Sequence, residues 1–276
     1  KWTIKKAVDS MENQELILPA IQREFVWKPK AICEFFESIL ESLPIGACIF
    51  WDHKSAKVTK YHFYKFIQTF SQKKNSELNQ GQKVTKKELE ASKYAVVDGQ
   101  QRLTSLFLGL KGSLILENGE RHVLHLNLSE DDEVTDDSST DFAGTKTRFA
   151  FRREQESGDI LSQRLAQHTG SQKEPDYWFK VSDILNLTPN RIESYLVKSM
   201  HFSRGTHQLI FAENLLRKFR YEVNENDRIL IEQLEADEVD TVLSAFIRVN
   251  LKGKKLDDFV LMSSVLANQM KEKEGK

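Results

Sequence analysis

The residue types best suited to chemistry lie at positions 96–104, which read Val-Val-Asp-Gly-Gln-Gln-Arg-Leu-Thr. The apolar residues before Asp98 favour a strand, Asp98 and Gly99 favour a turn, and residues 100–110 carry apolar side chains at helical spacing. The first turn of a helix presents unpaired N–H groups and the positive end of the helix dipole, which suits a phosphate group. Arg102 is close enough to that end to bind the same anion with two N–H groups. The segment therefore predicts an anion site.

Asp98 has two interpretations at this stage, because its carboxylate could hold an ion such as Mg²⁺ or cap the helix that follows. An Asp-Gly pair also forms ordinary turns that have no further role, and the residues alone leave this alternative open. The segment is not a Walker loop, because it contains no Gly-Lys-Ser or Gly-Lys-Thr.

Two other segments combine polar and aromatic residues. Residues 18–27 place an amide, a guanidinium group and two aromatic rings before the strongest predicted helix. Residues 245–257 end one predicted helix at Asn250 and a glycine turn, and Asp257 can cap the next helix. Taken alone, Phe25 and Trp27 are more typical of a core, and the later segment is a helix–turn–helix connection.

Charge is distributed unevenly along the chain. Its 276 residues contain 40 Lys+Arg against 41 Asp+Glu, which excludes a uniformly basic or acidic protein. Residues 54–93, however, contain ten lysines and only three acidic residues. Lysines beside aromatic residues suit nucleic-acid phosphates and bases, although such a segment is also typical of a solvated, partly flexible insertion. The sequence leaves both interpretations open.

Composition limits the class of protein further. Hydrophobic residues make up 39% of the chain, which is enough to build a core and excludes general disorder. Cys33 and Cys48, in apolar surroundings, are too few for a disulfide framework or a four-thiolate zinc site and are expected to be buried free thiols. No apolar run is long enough for a membrane span, and the start at Lys1-Trp2-Thr3 does not resemble a signal-peptide core, so we expect a cytoplasmic protein without a membrane partner.

The remaining elements are predicted from periodicity. Helices are expected at 4–11, capped by Thr3, and at 29–43, with Pro29 in the first turn. Short strands are expected at 16–19, 47–51 and 121–128, and the acidic segment 129–141 is the best candidate boundary. Beyond it we predict helices at 150–167, 182–186, 189–200, 206–221, 238–249 and 257–270. Residues 228–234 fit either a strand or the start of a helix.

Three motifs in this order resemble one known family. They are Gln-Arg-x-Phe-x-Trp at 22–27, Val-Val-Asp-Gly-Gln-Gln-Arg-Leu-Thr-Ser-Leu at 96–106 and Phe-x-Arg-Val-Asn-x-x-Gly-x-x-Leu at 246–256. Their order and spacing resemble the DGQQR domain at the N-terminus of GmrSD-type modification-dependent restriction enzymes and of related phage-defence proteins such as SspE. The resemblance spans roughly residues 3–268. Phe25 stands where tyrosine is more usual, which argues against a role for a hydroxyl there but preserves ring stacking.

The resemblance implies an α+β fold, with a ParB/sulfiredoxin-like α/β core at the N-terminus followed by a mainly helical region. We accordingly expect an α/β nucleotide-binding domain at residues 1–128, with the lysine-rich insertion at 54–93. A mainly helical domain at residues 142–276 is expected to complete the pocket, because ligand sites commonly lie between two such halves.

The resemblance also implies binding and hydrolysis of a nucleoside triphosphate, with Mg²⁺ as cofactor, coupled to recognition of foreign or modified DNA. The implied catalytic residues are Asp98, which is also the possible metal ligand, Gln100 and Arg102. The implied nucleotide-binding residues are Gln22, Arg23, Gly99, Gln100, Gln101, Arg102, Thr104, Arg248 and Asn250. Candidate DNA-binding residues are Trp27, Lys73, Lys74, Lys83, Lys86 and Lys87.

The predicted function is thus a nucleotide-binding, NTP-hydrolysing regulatory or sensor domain of a DNA restriction or phage-defence system. The alternative is a ParB-like module that binds DNA or modified bases and binds nucleotide without hydrolysing it. Family members carry or partner with an HNH-type nuclease, but the seven histidines here show no His-Asn-His arrangement. We therefore expect a nuclease domain beyond residue 276 or on another chain.

Overall fold

Two mixed β-sheets and the helices packed on them form the fold. The computed structural model describes residues 1–20, 24–54, 62–130, 147–153, 177–235 and 241–242. The first sheet contains β1 (Leu16–Pro19), β2 (Ala47–Asp52), β3 (Phe63–Tyr64), β5 (Tyr94–Asp98) and β10 (Leu230–Glu235). The second contains β4 (Thr69–Ser71), β6 (Ser113–Ile115), β7 (Arg121–Asn127), β8 (Phe149–Arg153) and β9 (Trp178–Lys180).

The first sheet has the strand order β10-β2-β5-β1-β3, with β5 at its centre. Strand β5 runs parallel to β1 and antiparallel to β2, whereas β10 runs parallel to β2. The second sheet has the order β4-β6-β7-β8, and β9 also pairs with β7. Because β10 comes from the far end of the described chain, the first sheet includes both halves of the sequence.

Six α-helices pack on these sheets in the described part of the chain. They are α1 (Ile4–Glu12), α2 (Pro29–Leu40), α3 (Lys86–Ala91), α4 (Gln100–Leu110), α5 (Ile192–Ser199) and α6 (His207–Asn224). Short 3-10 helices lie at Glu77–Asn79, Val181–Leu185 and Pro189–Arg191. None of the described helices is both long and apolar enough to cross a membrane.

One aromatic cluster shows how the two halves share a core. Phe36 of α2 lies 5.6 Å from Phe149 of β8, and Phe149 lies 5.4 Å from Phe219 of α6, measured between ring centroids. All three side chains are at most 2% exposed. Burial of such rings is worth several kcal/mol in total, at about 25 cal/mol per Å² of apolar surface. The early and late parts of the chain therefore stabilise each other.

The structure confirms the predicted α+β fold and most of the early elements. Helix α1 is capped by the Thr3 hydroxyl, which accepts a hydrogen bond from the Lys6 N–H at 3.1 Å. Helices α2 and α4 begin at the predicted residues, Pro29 and Gln100. The likeness to ParB and sulfiredoxin and the division into domains at 1–128 and 142–276 stay predictions.

The prediction of a helix from residue 150 is wrong at its start. Residues Phe149–Arg153 form β8, which pairs with β7 in antiparallel register from Leu126↔Phe149 to His122↔Arg153. The alternating burial of Phe149 and Phe151 is the two-residue period of a strand, and the arginines that follow do not extend an apolar helical stripe. The ambiguous segment 228–234 forms β10, and the helices expected at 238–249 and 257–270 lie almost wholly outside the described residues.

Candidate functional site

Strand directions bring four segments to one edge of the first sheet. The parallel strands β1 and β5 both end there, with Ile17 opposite Ala95. Strands β2 and β10 begin there, because β2 is antiparallel to β5 and β10 is parallel to β2. Asp98, the last residue of β5, lies opposite Ile49 at this edge. We call this the site edge.

Gly99 makes the sharp turn from β5 into α4. Its φ of 96° lies in the left-handed region, which glycine adopts without the steric cost of a side chain. A Cβ atom at this position would lie 2.4 Å from the Cys48 Sγ, closer than any real contact. Both the backbone conformation and the approach of β2 therefore require glycine here.

The N-terminal end of α4 has unused hydrogen-bonding capacity. The first intrahelical bond runs from the Leu103 N–H to the Gly99 carbonyl at 2.9 Å, so residues 100–102 have no helical acceptors for their N–H groups. Gln100 is 8% exposed, and its Oε1 is buried without a hydrogen-bond partner among the described residues. A buried, unpaired amide oxygen is costly and usually has a ligand or water as its partner.

The Arg102 guanidinium is held in place beside this end of the helix. Its Nη2 donates to Asp98 Oδ2 at 3.0 Å, and its Nη1 donates to the Ile45 carbonyl at 3.0 Å. The side chains of Arg102 and Asp98 are 23% and 30% exposed, so the pair is partly shielded but open to solvent. Gly46 has a φ of 81°, which favours glycine, and a Cβ atom there would lie 2.5 Å from Arg102 Nη1, so a side chain at this position would displace the guanidinium.

The Gln101 side chain holds a neighbouring segment of backbone. Its Oε1 accepts from the Val26 N–H at 2.9 Å, and its Nε2 donates to the Glu24 carbonyl at 3.0 Å. Both ends of the amide are therefore engaged, so a ligand would meet the backbone N–H of Gln101 instead of its side chain. The same segment is anchored by Phe25, which packs edge-on against Phe70 at 5.2 Å between centroids.

Cys48 lies under the turn and is not a reactive thiol. Burial raises its pKa to about 11, an effect that the positive charge of Arg102 opposes and the negative charge of Asp98 reinforces. The thiol is therefore neutral near pH 7 and serves as a small apolar group beneath Gly99. Cys33 is also buried, as expected.

The remaining predicted nucleotide-binding residues are either buried or outside the described residues. Thr104 is 1% exposed within α4, so its side chain faces the interior of the protein. Gln22, Arg23, Arg248 and Asn250 lie outside the described residues. The residues on either side of Gln22 and Arg23 are held by hydrogen bonds. The Gln101 side chain donates to the Glu24 carbonyl, and the Ala20 N–H donates to the His62 carbonyl at 3.0 Å.

Asp98 is the only acidic residue that we predicted as a metal ligand. In the part of the chain that the structure describes, no group of three or more His, Cys, Asp or Glu side chains could enclose a metal ion. Mg²⁺ is usually held by one or two carboxylates together with substrate phosphates and water. Asp98 fits a site of this kind as its single carboxylate ligand, because its Oδ1 is not used by Arg102.

The predicted DNA-binding lysines lie between residues 73 and 87, outside the turn at Gly99, and we call them together the lysine surface. Its five members are exposed: Lys73, Lys74, Lys83, Lys86 and Lys87. Lys86 and Lys87 begin α3, which is capped by Thr85 and Glu88. Trp27 is half-buried and packs edge-on against Phe35 at 5.4 Å between centroids, so only part of its ring is available to a ligand.

Sequence reasoning missed the contribution of the loop before β2. The Ile45 carbonyl and Gly46 surround Arg102, although Ile45 carries no polar side chain. The one available signal is the Pro44-Ile45-Gly46 sequence, which favours the end of a helix but gives no indication of a guanidinium partner. A sequence does not indicate which backbone carbonyls accept hydrogen bonds from a distant side chain, because this depends on the fold.

The fold and the site edge define an α+β protein with a strand–glycine–helix turn and an arginine fixed beside the helix N-terminus. The family model described as "GmrSD restriction endonuclease, N-terminal domain" matches residues 4–267, and the chain belongs to this family. No curated protein matches the chain. Family membership indicates a component of a DNA restriction or phage-defence system.

Proposed function

We propose that the site edge binds a nucleoside triphosphate and hydrolyses it, and that this reaction regulates the action of the restriction system on DNA. The observation that carries the proposal is the position of Arg102, fixed by Asp98 and Ile45 beside the free N–H groups of α4. A helix N-terminus with an adjacent guanidinium suits phosphate oxygens, because dipole, N–H donors and charge all favour an anion.

Each residue at the turn has a distinct part in this proposal. The backbone N–H groups of Gln100 and Gln101 bind phosphate oxygens, while Arg102 neutralises the charge that develops as the terminal phosphoryl group is transferred. The unpaired Oε1 of Gln100 accepts a hydrogen bond from the attacking water and orients it. Gly99 lets the phosphates approach the backbone closely.

Asp98 would hold Mg²⁺ through Oδ1 while Oδ2 keeps Arg102 in place. When bound, Mg²⁺ would offset the negative charge of the phosphate groups. Gln22, Arg23, Arg248 and Asn250 are proposed to line the same pocket, as the family resemblance implies. Thr104 would act from inside α4, by packing beneath the phosphate-binding turn, since its side chain is buried.

A second candidate is a module that binds nucleotide and DNA without hydrolysis. The Asp98 carboxylate is already paired with Arg102 at 3.0 Å. Among the described residues, Asp98 belongs to no group of three or more His, Cys, Asp or Glu side chains that could hold a metal ion. Both observations favour this second candidate. In this case the nucleotide would act as a switch between DNA-binding states. In both cases an HNH-type nuclease, as a further domain or a separate chain, would cut the DNA.

The deciding experiment measures phosphate release from GTP, ATP, CTP and UTP under multiple turnover, with Mg²⁺ and with or without DNA. Hydrolysis should be lost in Asp98→Asn, which keeps the side-chain volume but removes the charge. Asp52→Asn is the matched control, because Asp52 is the last residue of β2 and lies on the side of the same sheet opposite the site edge. Saturable nucleotide binding with no release would establish the second candidate, whereas no binding of any nucleotide would contradict both.

A further inference from the structure

The loop between α2 and β2 contains a strained residue. Ser42 has a φ of 65°, a left-handed conformation that glycine usually adopts at the end of a helix. The Ser42 N–H donates to the Ile39 carbonyl at 3.0 Å and the Leu43 N–H donates to the Ser38 carbonyl at 2.8 Å, which closes the last turn of α2. A serine in this conformation persists where surrounding contacts hold it, and such positions cluster at functional sites.

Those contacts come from the other half of the chain. The Ser42 hydroxyl donates to Glu222 Oε1 at 2.7 Å, and Arg228 Nη1 donates to the Ser42 carbonyl at 3.1 Å. Arg228 Nη2 also donates to the Leu43 carbonyl. Glu222 and Arg228 form an ion pair at 3.1 Å, with side chains only 5% and 11% exposed. Asn226 Nδ2 donates to Glu222 Oε2, the same oxygen that pairs with Arg228, at 2.9 Å.

The sheet topology explains why this ion pair reaches the loop. Strand β10 begins beside β2, with Leu230 opposite Ala47, so Arg228 lies next to the chain that enters β2. Only Leu43 and Pro44 separate the held Ser42 from Ile45, and proline restricts the backbone between them. The Ile45 carbonyl then accepts from Arg102 Nη1 at 3.0 Å.

We propose that Glu222 and Arg228 are positioning residues for Arg102, acting through residues 42–45. The inference rests on the proposed role of Arg102 in binding the nucleotide, and it adds control of that role by the C-terminal half of the chain. The planar, forked guanidinium of Arg228 holds the carbonyls of Ser42 and Leu43, which restricts the backbone that leads to Ile45. Movement of α6 relative to β2 would shift Arg102 away from the phosphates.

The test compares two matched double variants in the full chain. Glu222→Gln with Arg228→Met removes both charges together, because loss of one partner alone would leave an uncompensated buried charge. Glu213→Gln with Arg217→Met removes a second Glu–Arg pair, one that joins successive turns of α6 and has side chains 24% and 44% exposed. Arg228→Lys keeps the charge and tests the need for the fork.

Two measurements are made well below the melting temperature of each variant. Nitrogen-15 NMR of labelled arginine follows the exchange of the Arg102 guanidinium protons, assigned from their loss in Arg102→Lys. Titration with the nucleotide that binds the wild type best gives the dissociation constant. For the first double variant we expect exchange about tenfold faster and a dissociation constant roughly tenfold higher, less than the loss expected when Arg102 itself is removed. The control variant should change neither, and Arg228→Lys should lie between.

A purely structural role would lower the melting temperature and leave Arg102 exchange as in the wild type, which would overturn the proposal. If the wild type binds no nucleotide, the proposed function fails, but the guanidinium measurement still decides whether the ion pair positions Arg102. If the first double variant does not fold, Arg228→Lys decides in its place. Wild-type exchange and affinity in that variant would then overturn the proposal.

Discussion

The site edge and the lysine surface both contain cationic side chains, but they hold them differently. Arg102 has two fixed partners and is 23% exposed, whereas the five lysines are exposed and make no ion pair with a described carboxylate. A guanidinium already fixed in place loses little freedom when it binds an anion of defined shape. Exposed ammonium groups attract anions over a distance and are screened by salt. The first region suits a specific phosphate ligand, and the second suits a polyanion such as DNA.

The largest effect should follow from closing the space at the turn itself. Gly99→Ala should destabilise the protein by about 3–4 kcal/mol, through the left-handed backbone and the contact with Cys48. Gly205→Ala is the control, since Gly205 has a φ of 74° but no atom within 4 Å of an added Cβ. It should cost about 1–2 kcal/mol. Equal costs in urea unfolding would contradict the close packing of the turn.

The alkylation rates of a thiol at the site edge and of a thiol in the lysine surface should differ by about 100-fold. Because burial raises the pKa of Cys48 from 9.0 to about 11, its thiolate fraction at pH 8 is about 100-fold below that of an unperturbed thiol. Alkylation of Cys48 should be slower by at least that factor than alkylation of an exposed thiol created by Lys73→Cys. The rate should rise about tenfold per pH unit up to pH 11. Peptide mapping by mass spectrometry gives both rates, and similar rates would show that the site edge is open.

Loss of the fixed cation should affect nucleotide binding more than loss of the exposed ones. Arg102→Gln should weaken binding by about 2 kcal/mol, roughly 30-fold, because it removes charge-assisted hydrogen bonds to phosphate. Lys73→Gln with Lys74→Gln should change the dissociation constant by less than about threefold at physiological salt. Calorimetric titration at fixed salt measures both. The reverse order would move the nucleotide site to the lysine surface.

The smallest effect per residue should come from the lysine surface and should appear with DNA. Each lysine-to-glutamine change that removes a phosphate contact should lower the slope of log affinity against log salt by about 0.9. The measurement is fluorescence anisotropy with a labelled duplex at several salt concentrations, with Lys1→Gln as a control at the N-terminus. An unchanged slope after all five substitutions would exclude this surface as the DNA contact.

Local signals were enough to predict the turn but not its surroundings. The Asp-Gly pair and the apolar period after it predicted β5 and α4, because those signals act over a few residues. The roles of Gln101, Ile45 and Arg228 depend on contacts between residues 57 to 186 positions apart, which no local pattern encodes. Strand β8 was mistaken for a helix because its signal is one short alternating segment, and pairing with β7 decides its conformation.

The most direct test of the central claim follows the backbone amides of Gly99, Gln100 and Gln101 by NMR during titration with each of the four nucleoside triphosphates and Mg²⁺. Binding at the site edge predicts saturable shifts at these amides and at the Arg102 guanidinium, larger than those of any amide in the lysine surface. Saturable shifts confined to the lysine surface, or no saturable shift with any nucleotide, would contradict it.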